Sequence, residues 1–315
     1  VKALELQSVS KKYGDRTAVD NVSLSVEKGE MFALVGPDGA GKTSIIRMLC
    51  GITLPSSGSL SVLGYDVLRQ PEEVKKRIGY LSQRFSLYGD LTVDENIEFF
   101  AEIHGVRNFH ARRNELLEFT RLTPFRDRFA DKLSGGMKQK LALVCTLIHP
   151  PEIIFLDEPT TGVDPVSRRD FWKVLSSLLK SGITILMTTP YLDEAERCNR
   201  VALMNGGRIL MTDTPQGLKK VMKGEIVEII SADIRRVYSL LKGSTLVQEV
   251  QAFGDRVNVL MQHANEEMPA VAAFLQVHGV TITGWRMVEP SLENVFISLL
   301  SEQHAGIERK EVAVV

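Results

Sequence analysis

The sequence predicts an α/β nucleotide-binding domain built on a mainly parallel sheet, followed by a small α+β domain, and three observations carry that expectation. First, Gly36-Pro37-Asp38-Gly39-Ala40-Gly41-Lys42-Thr43-Ser44 fits the phosphate-loop pattern G-x-x-x-x-G-K-[ST]. It lies between the apolar run Met31-Phe32-Ala33-Leu34-Val35 and a helix-like start at 45–49. Second, apolar strands alternate with helical segments up to about residue 219, the rhythm of parallel strands joined by crossover helices. Third, the rhythm then changes to strand-helix-strand-strand-helix-strand, the order of a split βαβ, ferredoxin-like unit. The expected divisions are 1–219, with a helical subdomain at about 84–150, then 220–303, then a flexible tail at 304–315.

The 315 residues are enough for about two domains with real cores. A net charge of −1 gives no broad basic field, so no nucleic-acid partner is expected. Cys50, Cys145 and Cys198 are odd in number and lie in or beside apolar stretches, which fits reduced structural thiols better than a disulfide framework. No run reaches the roughly 18 apolar residues of a membrane span. Any service to a membrane must then pass through a partner. The start at Val1 is expected of a processed or truncated chain.

Residues 3–9 and 22–26 alternate as half-buried strands do, bracketing Tyr13, Gly14 and Asp15 in a polar turn. They are expected to add an antiparallel edge near the N-terminus, an antiparallel β subdomain beside the mainly parallel sheet. Tyr13, just ahead of the phosphate loop, is either an adenine-stacking aromatic or simple packing. In the loop itself, glycines let successive N–H groups point at phosphate oxygens and the following helix adds the positive end of its dipole. Lys42 would reach the β- and γ-phosphates and the Thr43 hydroxyl would ligate Mg²⁺.

Residues 59–63 read as a strand, and a helix opens at Pro71 with acids early and bases late. Gln83 follows the strand Ile78-Gly79-Tyr80-Leu81, placed either to contact Mg²⁺ or its water or to sit on the surface. Thr92 or Asp94 can cap the helix that follows, and another helix is expected over 114–120. In Leu133-Ser134-Gly135-Gly136-Met137-Lys138-Gln139-Lys140-Leu141 a serine and two glycines precede a helix, a second possible anion-binding N-terminus. A plain N-cap explains Ser134; the second glycine costs helix stability and implies a close backbone approach.

The strand at 152–156 ends in Asp157 and Glu158, suited to Mg²⁺ positioning and water activation, though acids at strand ends are also common surface features. A turn at 160–165, a helix at 166–181, a buried strand at 183–187 and a hairpin around Asn205-Gly206-Gly207 complete the first domain. Beyond it, strands are expected at 225–230, 245–252, 256–261 and 280–288, with helices at 233–242, 266–278 and 291–300.

Taken together, Gly36 to Ser44, Gln83, Leu133 to Leu141, Ile153 to Pro159 and Thr161 to Pro165 resemble the nucleotide-binding domain of ATP-binding-cassette (ABC) proteins, a P-loop NTPase fold. Five motifs in order over about 200 residues make the resemblance specific. It implies an ATP sandwich in which the phosphate loop of one domain and the Leu-Ser-Gly-Gly-Met stretch of another enclose one ATP. Tyr13 then stacks on adenine with Val19 beneath it, Thr43 and Gln83 attend Mg²⁺, and Asp157 supports the metal. Glu158 polarises the attacking water, while Ser134, Gly135, Gly136, Gln139 and Asp164 serve the nucleotide across the interface.

Two positions depart from the family pattern. Asp38 stands where the family usually has Asn, and Pro190 where a histidine usually contacts the γ-phosphate. Proline has no side-chain donor and Asp38 adds negative charge near a polyphosphate, so this half-site is expected to bind ATP and turn it over poorly. The phosphate loop, Leu133 to Leu141 and Tyr191-Leu192-Asp193-Glu194-Ala195-Glu196 look like the first of two fused ABC domains in YbhF-type subunits of bacterial drug exporters. The tail Val288-Glu289-Pro290-Ser291-Leu292-Glu293-Asn294-Val295-Phe296-Ile297 resembles the accessory region of drug and antibiotic-resistance exporter ATPases, so the resemblance covers nearly the whole chain. Implied partners are membrane permease subunits and a second ABC domain, fused or homodimeric, at the inner face of the cell membrane. A soluble ABC protein of DNA repair or translation, or a regulatory half-site, are the competing classes.

Overall fold

In the computed structural model, which describes residues 1–84 and 87–301, the chain opens on the hairpin of β1 (Lys2–Tyr13) and β2 (Arg16–Glu27). Both strands run well beyond the alternating stretches that announce them. The ladder between them carries register shifts, and Ser8 and Asn21 adopt left-handed backbone. Each irregularity turns the following side chains to the other face, which erases the period-two pattern. While β3 (Met31–Val35) leaves for a second sheet, β4 (Ser57–Val62) and β5 (Tyr65–Asp66) return to this one in the order β2-β1-β4-β5. The N-terminal strands thus form an antiparallel sheet of their own, the antiparallel β subdomain expected beside the mainly parallel sheet.

The second sheet adds β6 (Ile78–Leu81), β7 (Ile153–Asp157), β8 (Thr184–Thr189), β9 (Arg200–Asn205) and β10 (Arg208–Asp213) in the order β10-β9-β3-β8-β7-β6. All neighbours pair in parallel except the hairpin strand β10. Every residue of β3, β7 and β8 is buried, as expected of parallel strands covered on both faces. Phe32, Leu34, Ile46, Met48 and Phe155 share one core with the antiparallel sheet.

The helices of this unit are α1 (Lys42–Leu49), α2 (Pro71–Lys75), α3 (Val93–Ile103), α4 (His110–Thr120), α5 (Gly135–Leu147), α6 (Pro165–Lys180) and α7 (Leu192–Ala195). Thr92 and Glu95 form the capping box expected at the start of α3. Buried Asn96, on the same helix, donates its amide to the carbonyls of Tyr88, Leu91 and Thr92 and accepts the Tyr88 N–H, pinning the segment that precedes α3.

The chain divides between Thr214 and Pro215, a few residues before the expected boundary. The second unit contains α8 (Pro215–Lys219), β11 (Glu225–Ser231), α9 (Ile234–Leu241), β12 (Glu249–Phe253), β13 (Arg256–Met261), α10 (Ala264–Val277), β14 (Ile282–Val288) and a helix over 292–301. Its antiparallel sheet runs β12-β13-β11-β14, the strand order of the ferredoxin-like arrangement. The strand expected from 245 begins only at 249. Val227, Ile229, Val257 and Val259 pack on Val237, Leu241, Val271 and Leu275 to form a core of its own. The expected tail at 304–315 lies outside the described residues. Among the described residues no helix is long and apolar enough to cross a membrane, and all three cysteines are buried free thiols.

Candidate functional site

Parallel strands end side by side, so residues far apart in sequence meet at one edge of the sheet. Here β3 leads into the phosphate loop, β6 is followed by Gln83, β7 ends at Asp157, and β8 ends at Thr189. A cavity of about 510 Å³ opens there, lined by Tyr13, Arg16, Ala18, Asp38, Gly39, Ala40, Gly41, Lys42, Thr43, Ser44, Gln83 and Glu158.

The loop is held from within. Lys42 Nζ donates to the carbonyls of Gly36 (2.8 Å) and Pro37 (3.0 Å) and stands 3.8 Å from Glu158 Oε1. Burial pushes the Lys42 pKa down, and the carboxylates of Glu158, Asp38 and Asp157 act against that shift. Gly41, in left-handed backbone at φ +100°, sits so close to the strand below that an added Cβ would meet the Ala18 carbonyl at 2.4 Å. Glycine is required there on both counts.

Thr43 Oγ1 donates to Asp157 Oδ1 at 2.9 Å, and Gln83 Nε2 donates to Glu158 Oε2 at 2.9 Å. The four residues proposed from sequence for metal and water chemistry therefore form two directly bonded pairs. Tyr13 is 45% exposed at the cavity wall, with Lys11 Nζ 4.8 Å above its ring. That leaves one aromatic face for a base to cover.

Four residues differ from the sequence reading. Val19 does not line the cavity: it is fully buried beneath the loop, and its neighbour Ala18 takes the lining position. Gly36 and Pro37 do not line the cavity either; their carbonyls accept from Lys42 Nζ. Gly136 has an explanation inside its own chain, because a Cβ there would lie 2.3 Å from the Ser167 side chain of α6. The glycine lets the first turn of α5 abut the first turn of α6. Gly135, by contrast, is exposed with no atom near its missing Cβ, and Ser134 is an exposed N-cap accepting the Met137 N–H at 3.3 Å. Asp164 caps α6 through the N–H groups of Val166 and Ser167, and hydrogen bonds, chiefly to Ser167, hold its pKa below the usual value. Ser134, Gly135, Gly136, Gln139 and Asp164 all lie outside the cavity lining, leaving the cross-interface role a proposal.

Sequence reasoning missed Arg16. It pairs with Tyr13 across the β1–β2 turn, and its Nη2 lies 3.1 Å from the point where a Cβ on Gly39 would sit. The signal was available, since a two-residue turn after Tyr13 returns the next residue to its side. Arg16→Ala is expected to weaken ATP binding about two- to fivefold at low salt, as befits an exposed charge contact, with the deficit shrinking as salt rises. Calorimetric titration at two ionic strengths checks this; an unchanged affinity at both would remove Arg16 from the site.

With that geometry in place, comparison with known proteins is direct. Residues 19–161 match the family described as ABC transporter, and residues 214–300 the ATP-binding protein DrrA1-3-like, C-terminal domain. The chain is 36% identical over 318 residues to the daunorubicin resistance ATP-binding protein DrrA2 of Streptomyces coeruleorubidus, covering 99% of each. It is 42% identical over 218 residues to the probable multidrug ABC transporter ATP-binding protein YbhF of Escherichia coli K12. That match takes in 69% of this chain and 38% of the relative, so the chain spans well under half of that protein's length. A solved ATP-binding subunit of an ABC transporter is 30% identical with a TM-score of 0.63, over 70% of this chain and 92% of its own. A phosphate loop, paired strand-end acids and a DrrA-like second unit thus stand on one polypeptide, and the chain belongs to the ABC transporter family.

Proposed function

We propose that this chain is the ATP-binding subunit of a bacterial exporter, lying at the cytoplasmic face of the membrane and docking on separate permease subunits to drive efflux of drugs or other small molecules. Nucleotide-driven closure of two ABC domains supplies the work, each phosphate loop facing the other domain's Ser134–Gly136 stretch or its counterpart. The observation that carries this reading is the correspondence of both units, end to end, with a resistance ATP-binding protein.

Mg²⁺ suits the donor set, because the Thr43 hydroxyl, the Asp157 carboxylate and the Gln83 amide are all oxygen-bearing groups favoured by a hard cation. When bound it would offset phosphate charge. Lys42 holds the β- and γ-phosphates, and Glu158 accepts a proton from the attacking water. Pro190 leaves the γ-phosphate without a side-chain donor at its position, which favours the reading of this half-site as the slower of an asymmetric pair.

The test is docking. The segment pinned by Asn96 presents Tyr88, 46% exposed with its ring edge against Phe99, beside half-buried Leu87; Phe85, third of the apolar set, lies outside the described residues. An apolar surface of this kind suits a partner helix. The double substitution Leu87→Asp and Tyr88→Asp is expected to leave ATP binding intact and to abolish co-purification with the membrane subunits. Loss of ATP binding instead would mean that these residues serve the core.

A further inference from the structure

Two threonines close β8, Thr188 and Thr189, and both are buried with engaged hydroxyls. Successive strand residues point to opposite faces, so the two reach different parts of the structure. Thr188 is the ladder partner of Asp157 on the neighbouring strand. Its Oγ1 donates to Asp157 Oδ1 at 2.7 Å and accepts the Glu158 N–H at 3.0 Å; the same N–H lies 3.2 Å from the Thr188 carbonyl. A hydroxyl is both donor and acceptor, so this one atom is bonded to both acidic residues at once.

Glu158 has φ +50°, a left-handed conformation unfavourable for a residue with a Cβ. Something must hold it there. Thr188 holds the start of the turn, and Thr189 holds its far side through buried Glu194, which accepts from Thr189 Oγ1 at 2.9 Å and from Thr160 Oγ1 at 2.6 Å. The end of β8 therefore clamps residues 157–160 at both ends, immediately before the position where Pro190 offers no donor.

We propose that Thr188 is a positioning residue for hydrolysis: its hydroxyl sets the rotation of Asp157 and the backbone direction from which Glu158 reaches the attacking water. This rests on the reading of Asp157 as the metal group and Glu158 as the water group. Because Thr188 does not line the nucleotide cavity, it acts on the metal and the chemical step and not on nucleotide affinity.

The test compares wild type with Thr188→Val, which keeps shape and removes the hydroxyl, and Thr188→Ser, which keeps it. ATP affinity is measured without divalent metal, Mn²⁺ half-saturation by electron paramagnetic resonance at fixed ATP, and phosphate release in a single turnover with enzyme in excess. Loss of an outer-shell hydrogen bond typically costs about 10–100-fold in metal affinity or rate. Thr188→Val is therefore expected to weaken Mn²⁺ binding and slow phosphate release within that range, with metal-free ATP affinity unchanged and Thr188→Ser close to wild type. Asp157→Asn is the control. If it leaves Mn²⁺ binding untouched, the metal assignment itself is wrong; if it weakens Mn²⁺ binding while Thr188→Val does not, Thr188 is structural only. Should Thr188→Val fail to fold, Thr188→Ala replaces it, and a serine variant as impaired as the alanine variant overturns the proposal.

Discussion

Replacing Lys42 with alanine is expected to raise the ATP dissociation constant about 100-fold or more, which at accessible concentrations reads as loss of binding. The ammonium is 4% exposed, bonded to two loop carbonyls and within 3.8 Å of Glu158. A charge-assisted hydrogen bond is worth about 1.5–3 kcal/mol, and a fully desolvated cation facing two phosphates makes more than one. The substitution also leaves the Gly36 and Pro37 carbonyls without their donor and Glu158 without its counter-charge, so the loop loses its internal tether as well as its ligand contact. Circular dichroism separates the two effects, because the sheet is closed by contacts that do not involve Lys42. An unchanged affinity in a calorimetric titration would refute the phosphate-loop assignment.

The second large effect is a contrast between two variants of the coupled assembly. Ser134→Arg is expected to damage turnover more than Glu158→Gln does. Glu158→Gln disables only this chain's own site, which we propose is the slower of the two because Pro190 offers the γ-phosphate no side-chain donor. Transition-state donors of that kind are worth roughly 3 kcal/mol, or about 100-fold in rate. Ser134→Arg instead puts a large cation beside the open Gly135, where the partner's nucleotide is proposed to dock, and so strikes the faster site. It also removes an N-cap worth about 1 kcal/mol, and Ser134→Ala, which loses only the cap, measures that part alone. Pro190→His is expected to raise the isolated chain's rate where the chain self-associates. If Glu158→Gln alone stops turnover and Ser134→Arg is silent, the asymmetry runs the other way.

These contrasts depend on residues of two kinds. Phosphate loop, Ser134 cap, Asp157-Glu158 pair and Asn205-Gly206-Gly207 hairpin were legible because each is a local device. The residue types determine the backbone conformation within a few positions, and that conformation is most of the function. The ferredoxin-like order of the second unit was legible for the same reason, since period-two and helical patterns each report on a single element. The strand limits of β1 and β2 were not, because bulges at Ser8 and Asn21 reverse the faces of the strand and their cause is a neighbouring strand.

The phosphate loop was readable from its residues, because glycines at set spacing before a lysine permit few other backbone paths, and five such motifs in order point to an ABC cassette. Which distant groups act together is a matter of how the strands pack. Thr43 meets Asp157, Gln83 meets Glu158 and Thr188 meets both acids because parallel strands lie about 4.8 Å apart and end at one edge. The tertiary structure likewise decided that Ala18 and Arg16, not Val19, face the cavity, and that Gly136 is small to admit Ser167. Such facts are properties of packing between segments, where no local pattern records which neighbour arrives.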